Sequence, residues 1–547
     1  MKILLLISSF NSLSQRVYCE LKELNHEVNI CLGNEKNLIE DINEINPDII
    51  FCPFLKEYLP PEIYETYQTF ILHPGIIGDR GHQSLDHAIN EQKKKWGVVI
   101  LKANEQLDGG DIYASSEFEM RTASKGSLYR NEVCDATSTA LKNLLENLQN
   151  PNFKSIPQIQ NDIHKTLTQN DRKIDWEKDD TNTIIKKINM SDSYPGVKEN
   201  FLGIDCFMYG ACIEDSFRGE PKELLAKRDG AICIGTIDGS LWISHLKEKD
   251  GFKLPSTYVL KNKIKGVREN RIPLFLENQT NTFHEIYVEK KDEIAYLYFD
   301  FHNGAMNSEQ AIRLKYAVEY LKEECKVLVL MGGEEFFSNG IHLNILEDSK
   351  KQGEDGWSNI NAMNDVVKSI LFAEDIITVA SFSKNAGAGG VFLGLACDYC
   401  ITREGVVFNP HYKTMGLSGS EYHTFSFYKR VDNDFANEVL TKCIPVGSTK
   451  AKRIGMVDEV FTNESYQENL KQFCEDLIRD EEIFEDFIDD KKDFIFDNEE
   501  KIEKLKEKEL QRMYPEFWDE DSSFHKLRKE FIYKKEHNDS LKRLKEL

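Results

Sequence analysis

Residues 69–81 read TFILHPGIIGDRG. The apolar run Thr69–Leu72 leads into His73. A turn with three glycines follows, and then the helical pattern SLDHAINEQ (84–92). Apolar run, Gly/Pro turn and helix, in that order, form the local unit of an open α/β sheet, whose chemistry collects in loops at the carboxyl ends of strands. The flanks repeat the unit. KILLLIS (2–8), HEVNICLG (26–33), PDIIFCPF (47–54) and KWGVVILKA (95–103) are further short apolar runs, and SQRVYCELKEL (14–24) places Val17, Leu21 and Leu24 at helical spacing. Residues 1–155 are therefore expected to form an open parallel-sheet domain. The opening MKILLLISSF is read as its first strand rather than a leader, because no small-residue cleavage site follows and Asn11, Gln15 and Arg16 come at once.

Farther along, the pattern changes. NPNFKSIPQIQND (150–162) is polar and Pro-containing, a candidate linker. FLGIDCFMYGACIED (201–215) and GAICIGTIDGSLWISHL (230–246) are short alternating runs between Gly turns, the signature of a small β-barrel or sandwich over 156–278. A second α/β region, 279–470, holds the strands EIAYLYFD (293–300) and KVLVLMGG (326–333) and the helix SEQAIRLKYAVEYLKEE (308–324). Residues 471–547 are polar and helical, as in NEEKIEKLKEKELQRM (498–513). The expected fold class is α/β multidomain.

The 547 residues suit about three or four domains. A net charge of −24 repels nucleic acid and anionic membranes, and no stretch approaches the about 20 apolar residues of a membrane span. Neither is an expected partner. Twelve scattered Cys without an export signal imply a reducing, cytoplasmic setting. Cys397 and Cys400 form a Cys-x-x-Cys with no second pair, so they are read as buried thiols and no metal site is expected.

Two constellations carry chemistry. His73 ends an apolar run, and LDGGDIY (107–113) brings Asp108 and Asp111 one helix and one strand later. A histidine at a strand end can relay a proton while a carboxylate fixes its tautomer. A capping His beside a Gly turn is the alternative. In VLVLMGGEEFFSNGIHL (327–343) and VASFSKNAGAGGVFLGLACDY (379–399), a strand runs into a Gly turn and then a helix. Two such turns can aim two backbone N–H groups at one carbonyl oxygen, an oxyanion hole. Gly389 and Gly390 permit that close approach, and simple helix-on-strand packing is the alternative.

TFILHPGIIGDRG resembles the His-Pro loop of the folate-dependent formyltransferases, with Arg80-Gly81 matching their Arg-Gly and LDGG their Leu-Asp-x-Gly. By that match His73 is the catalytic His and Asp108 the catalytic Asp. The family's Asn, two residues before the His, is Ile71 here, which implies a different acceptor, a slower transfer or another donor in its place. RKIDWEK (172–178) and SYPGVK (193–198) resemble the C-terminal barrel of methionyl-tRNA formyltransferases, but a small acceptor fits the acidic balance better than tRNA. Residues 284–470 resemble the crotonase (enoyl-CoA hydratase/isomerase) superfamily with its ββα-spiral. The match places the oxyanion hole at the N–H groups of Ile341 and Gly389. The two hydratase glutamate positions fall on Phe392 and Tyr412, so hydration of a double bond is not expected, and Tyr412 with Glu421 in GSEYHT (419–424) is the candidate acid–base pair.

The fusion of both modules resembles a family of nickel–iron hydrogenase maturation factors. The resemblance implies formyl transfer from N10-formyltetrahydrofolate to coenzyme A, then decarbonylation of formyl-CoA to carbon monoxide and CoA, with transient contact with other hydrogenase maturation proteins. Arg16, Arg80 and Arg130 are candidate anion contacts, and Ser191, Ser193 and Tyr194 candidate contacts in the middle domain. A formyltransferase fused to a conventional acyl-CoA hydratase, or a non-catalytic scaffold that binds CoA or folate, are the alternatives.

Overall fold

Every apolar run at the start of the chain becomes a strand of one sheet. β1 (Lys2–Ile7), β2 (Glu27–Leu32), β3 (Ile49–Cys52), β4 (Thr69–His73), β5 (Lys95–Lys102) and β6 (Ile112–Glu119) lie in the order β2-β1-β3-β4-β5-β6. Strands β1 to β4 are parallel, whereas β5 runs antiparallel to β4 and β6 antiparallel to β5. The parallel expectation therefore holds up to His73 and fails beyond it. An apolar run carries no direction, and the seven-residue helix Ser84–Asn90 does not return the chain across the sheet. Earlier crossovers do so, as in the helix Ser12–Glu23, capped by Asn11 and buried through Leu13, Val17 and Leu21.

The middle region is antiparallel throughout. β7 (Val197–Phe201), β8 (Ile204–Glu214), β9 (Leu224–Arg228), β10 (Ala231–Gly235), β11 (Ser240–Glu248) and β12 (Lys253–Pro255) form the path β7-β8-β11-β10-β9, with β12 on β11. Trp242, Cys233 and Ala226 are buried in one face of it.

A third sheet follows. β13 (Ile286–Lys291) pairs antiparallel with β14 (Ile294–Phe299), and β15 (Ala305–Met306) starts a separate small pairing. Strands β16 (Val327–Gly332), β18 (Ile377–Phe382), β20 (Tyr399–Arg403) and β23 (Glu459–Phe461) extend β14 in parallel. Between them, β17 (Gly340–Ile341) pairs with β15, and β19 (Ala386–Gly387) pairs with β21 (Val407–Asn409), which pairs with β22 (Val446–Gly447). These repeated ββα turns are the spiral of the crotonase fold. The C-terminal residues pack as helices Tyr466–Leu477, Glu481–Trp518 and Ser523–Ile532. Asp480 caps the long one, and Phe484, Ile488, Ile495, Ile502, Met513 and Phe517 form its buried stripe at helical spacing. Lys491 falls in the same stripe and reaches Asp398 at 2.6 Å.

The computed structural model describes all residues except 160, 162, 276–279, 536–542 and 546. They form two units, one built on Met1–Arg271 and the other on His284–Glu546. The boundary expected at 278/279 lies outside the described residues. Among those described, no helix is long and apolar enough to cross a membrane. Cys397 and Cys400 are buried thiols, and burial pushes Cys400 up to about 12.

Candidate active sites

His73 closes β4 and is buried. Its Nε2 lies 2.7 Å from Asp79 Oδ2, and its Nδ1 lies 3.5 Å from Asp108 Oδ2. The expected partner, Asp108, is present but is the more distant. It accepts from the Gly81 N–H at 3.0 Å and adopts a φ of 49°. Ser84 Oγ lies 3.3 Å from His73 Nε2. Gly75 is required here, because a Cβ would stand 2.2 Å from Asp79 Oδ2 and 2.5 Å from His73 Nε2. Burial would raise the Asp79 carboxyl, but hydrogen bonds to His73, Ser84 and His164 hold it below the ordinary carboxylate range.

His164 lies two residues beyond the stretch read as a linker, 150–162. The described residues between 156 and 168 run along the His73 loop. Gln158 Oε1 accepts from Gly78 N at 2.9 Å, Asn161 Nδ2 donates to Gly78 O at 2.9 Å, and His164 N donates to Arg80 O at 3.0 Å. This strap brings His164 Nε2 to 2.5 Å from Asp79 Oδ1 and stacks its ring on His87. Sequence reasoning missed Asp79 and His164. The only signal was two chargeable residues, one in an ordinary Gly-rich turn and one just past the linker stretch.

The candidate anion contacts divide. Arg16 is buried between Glu20 (2.9 Å) and Asp135 (2.5 Å), committed to those carboxylates. Arg80 donates to the carbonyls of Leu107 (3.0 Å) and Asn161 (3.2 Å), so it buttresses the loop that carries Asp108. Arg130 and Ser193 converge with Asp192. A Cβ at Gly126 would lie 2.7 Å from Arg130 Nη1 and Asp192 Oδ2 and 2.9 Å from Ser193 Oγ. Burial raises Asp192, but Lys253, Arg130 and Lys125 draw it below its usual range, while Lys125 also pairs with Asp86 at 2.8 Å. Ser191 is buried and bonded to Lys187 O and Arg172, while Tyr194 is 78% exposed.

In the second unit, Tyr412 and Glu421 meet. Tyr412 Oη donates to Glu421 Oε2 at 2.5 Å, and both side chains are buried. Burial raises Glu421 to about 7, and burial with the Glu421 charge raises Tyr412 well above its usual value. Asn364 Oδ1 accepts from Glu421 N at 2.9 Å. Gly389 opens the helix Gly389–Leu395, so its N–H is outside the helical ladder. A Cβ there would stand 2.4 Å from Glu421 Oε1, and one at Gly340 would stand 3.1 Å from Gly389 N. The strand pair β15–β17 sets Ile341 beside Met306. Phe392 stacks on Tyr412 with centroids 5.6 Å apart, filling space where a hydratase carboxylate would be expected. A cavity of about 10 Å³ adjoins Glu421 and Gly389, walled by Met306, Ser338, Met363, Val366, Val367 and Leu393. That is room for a single group of about water size.

The chain is 33% identical over 548 residues to the hydrogenase maturation factor HoxX of Bradyrhizobium diazoefficiens, covering 98% of this chain and 95% of that protein. The chain belongs to the HypX/HoxX family of hydrogenase maturation factors. The crystal structure of HypX from Aquifex aeolicus in complex with tetrahydrofolic acid superposes with a TM-score of 0.95 at 42% identity, over 98% of this chain and 97% of that one. Methionyl-tRNA formyltransferase of Pseudothermotoga lettingae is 25% identical over 200 residues, 36% of this chain and 66% of that enzyme. The formyl transferase family matches residues 32–145, its C-terminal domain 166–263, and the enoyl-CoA hydratase/isomerase family 289–536. In this HypX/HoxX member, His73, Asp79 and Asp108 thus lie in the formyl transferase match. The hydratase/isomerase match holds Ile341, Gly389, Tyr412 and Glu421, and runs on through the long C-terminal helix.

Proposed function

We propose that this HypX/HoxX member makes carbon monoxide in two steps, from N10-formyltetrahydrofolate through formyl-CoA. In the first, the thiol sulfur of coenzyme A attacks the formyl carbon and the bond to folate N10 breaks. His73 takes the thiol proton and delivers it to N10, with Asp79 and Asp108 stabilising its charged form. Arg130, Lys125 and Lys253, gathered around Asp192, are the candidate cations for an anionic ligand. In the second, the N–H groups of Ile341 and Gly389 polarise the formyl oxygen. The Glu421 carboxylate takes the formyl hydrogen as a proton, its bonding pair becomes the lone pair on carbon, and the C–S bond breaks. Tyr412 passes a proton to the departing thiolate and recovers one from Glu421, leaving carbon monoxide and free thiol. In this reading residues 1–155, 156–278, 279–470 and 471–547 act as four domains of a cytoplasmic protein that meets other hydrogenase maturation proteins transiently.

The observation that carries this reading is the cavity of about 10 Å³ between Gly389 and Glu421. It suits a one-carbon acyl group better than the chain of an ordinary enoyl thioester. The protein given N10-formyltetrahydrofolate and CoA is expected to release a gas that forms the carbon monoxide adduct of ferrous haem, and to leave crotonyl-CoA unhydrated. Hydration of crotonyl-CoA without that adduct would overturn the proposal.

A further inference from the structure

The helix Glu481–Trp518 carries a carboxylate in its apolar stripe. Glu509 is fully buried. Its Oε2 accepts from Tyr422 N at 3.1 Å, and its Oε1 accepts from Thr424 N at 2.8 Å and from Thr424 Oγ1 at 2.5 Å. His423 Nδ1 lies 3.2 Å from Oε1. These acceptor contacts fall on the turn that directly follows Glu421. That turn is strained, since Glu421 and Tyr422 both occupy the left-handed region, with φ of 60° and 55°. Non-glycine residues stay there only where their surroundings hold them. Asn364 holds the Glu421 N–H from one side, and Glu509 holds the next two residues with N–H groups aimed at it from the other.

We infer that Glu509 is a positioning residue for Glu421: its carboxylate locks the 421–424 turn so that Glu421 faces Gly389, and its negative charge strengthens Glu421 as a base. The inference rests on the proposed decarbonylation. The groups around the pair are Tyr412, Tyr422 and His423 from the site side and Arg512 from the same helix. Burial holds His423 at about 4, so it faces Glu509 as a neutral ring near neutral pH. Burial raises Glu509 to about 7, and the Glu421 charge pushes it the same way. Two like charges across one turn make each proton harder to lose.

Glu509→Gln keeps the shape but sets an amide N–H against a backbone N–H and removes the charge. Carbon monoxide release from formyl-CoA is expected to fall by about 10²-fold. The midpoint of its pH–rate profile is expected to move toward acid by about one unit. Formyl transfer, measured as folate release in the same protein, stays at the wild-type rate. An unchanged release rate, or a lower rate with an unmoved midpoint, would overturn the inference; the second result would mean that Glu509 only supports the fold. Glu509→Asp keeps the charge and is read alongside. It is expected to lose rate while holding the wild-type midpoint, and a midpoint moved toward acid in that variant would overturn the inference whether or not the Gln variant folds. No carbon monoxide from the wild type would instead sink decarbonylation itself.

Discussion

His73 lies between two carboxylates, Asp79 at 2.7 Å and Asp108 at 3.5 Å. The shorter contact to a charged group is the stronger. Asp79→Asn is therefore expected to slow consumption of N10-formyltetrahydrofolate by about 10²-fold, at least as much as Asp108→Asn. An Asp79→Asn protein with full turnover would remove that carboxylate from the chemistry. At the second site, burial raises Glu421 to about 7. A base must be ionised, so carbon monoxide release should climb as pH rises through about 7 and level above it. A rate that does not change across that range would contradict the role. The same shift has a stability consequence of definite sign. The folded value lies above the unfolded one, so its favourable contribution is present below the ordinary carboxylate range and is lost as pH rises through about 7. Glu421→Gln should thus stop release yet raise the melting temperature on the alkaline side by about 2–4 °C. At this scale the sequence was partly legible. Tyr412 was recognisable because it stood where a related enzyme carries a glutamate, and Glu421 because it lay nearby in a site lacking the usual carboxylates. Asp79 was not, because an Asp in a Gly-rich turn reads first as a turn former.

The strap around Gln158, Asn161 and His164 and the stripe of the long helix show where patterns mislead at the level of elements. Polar composition with Pro157 reads as a linker, yet side-chain amides of Gln158 and Asn161 tie the strap to Gly78, and its His164 contacts Asp79. Pattern records where the chain is polar and not what its polar groups bond to. The direction of β5 and β6 was illegible for a similar reason, since apolar runs are alike in parallel and antiparallel pairs. The helix Glu481–Trp518 was legible as a helix, but Lys491 and Glu509 fall in register with its buried residues, and charges at such positions are the signal that was overlooked. The helix Gln352–Leu371 gives the cavity Met363, Val366 and Val367. Met363→Ala should enlarge that chamber at a cost of about 2–5 kcal/mol in stability and let acetyl-CoA compete with formyl-CoA. If acetyl-CoA inhibits the wild type equally well, the cavity does not set acyl size.

At the scale of the whole molecule, the order of modules was legible from motifs, because each motif belongs to a distinct fold. The status of the tail was not. Polar helices at a chain end resemble an appendage, but Met513, Phe517 and Phe524 are buried in the core of the second unit. A chain truncated after Arg479 is expected to lose carbon monoxide release while folate turnover, which depends on the first unit, continues. Retained release would show that the long helix is dispensable. The net charge of −24 does not preclude local clusters of cations, as Arg130, Lys125 and Lys253 gather around Asp192. The most direct test follows the formyl carbon through both sites. With N10-formyltetrahydrofolate carrying a 13C-labelled formyl group and unlabelled CoA, the infrared band of the ferrous haem adduct should report 13C carbon monoxide, in amounts matching the folate released. Folate release with the label recovered only as formate, or an adduct without label, would contradict it.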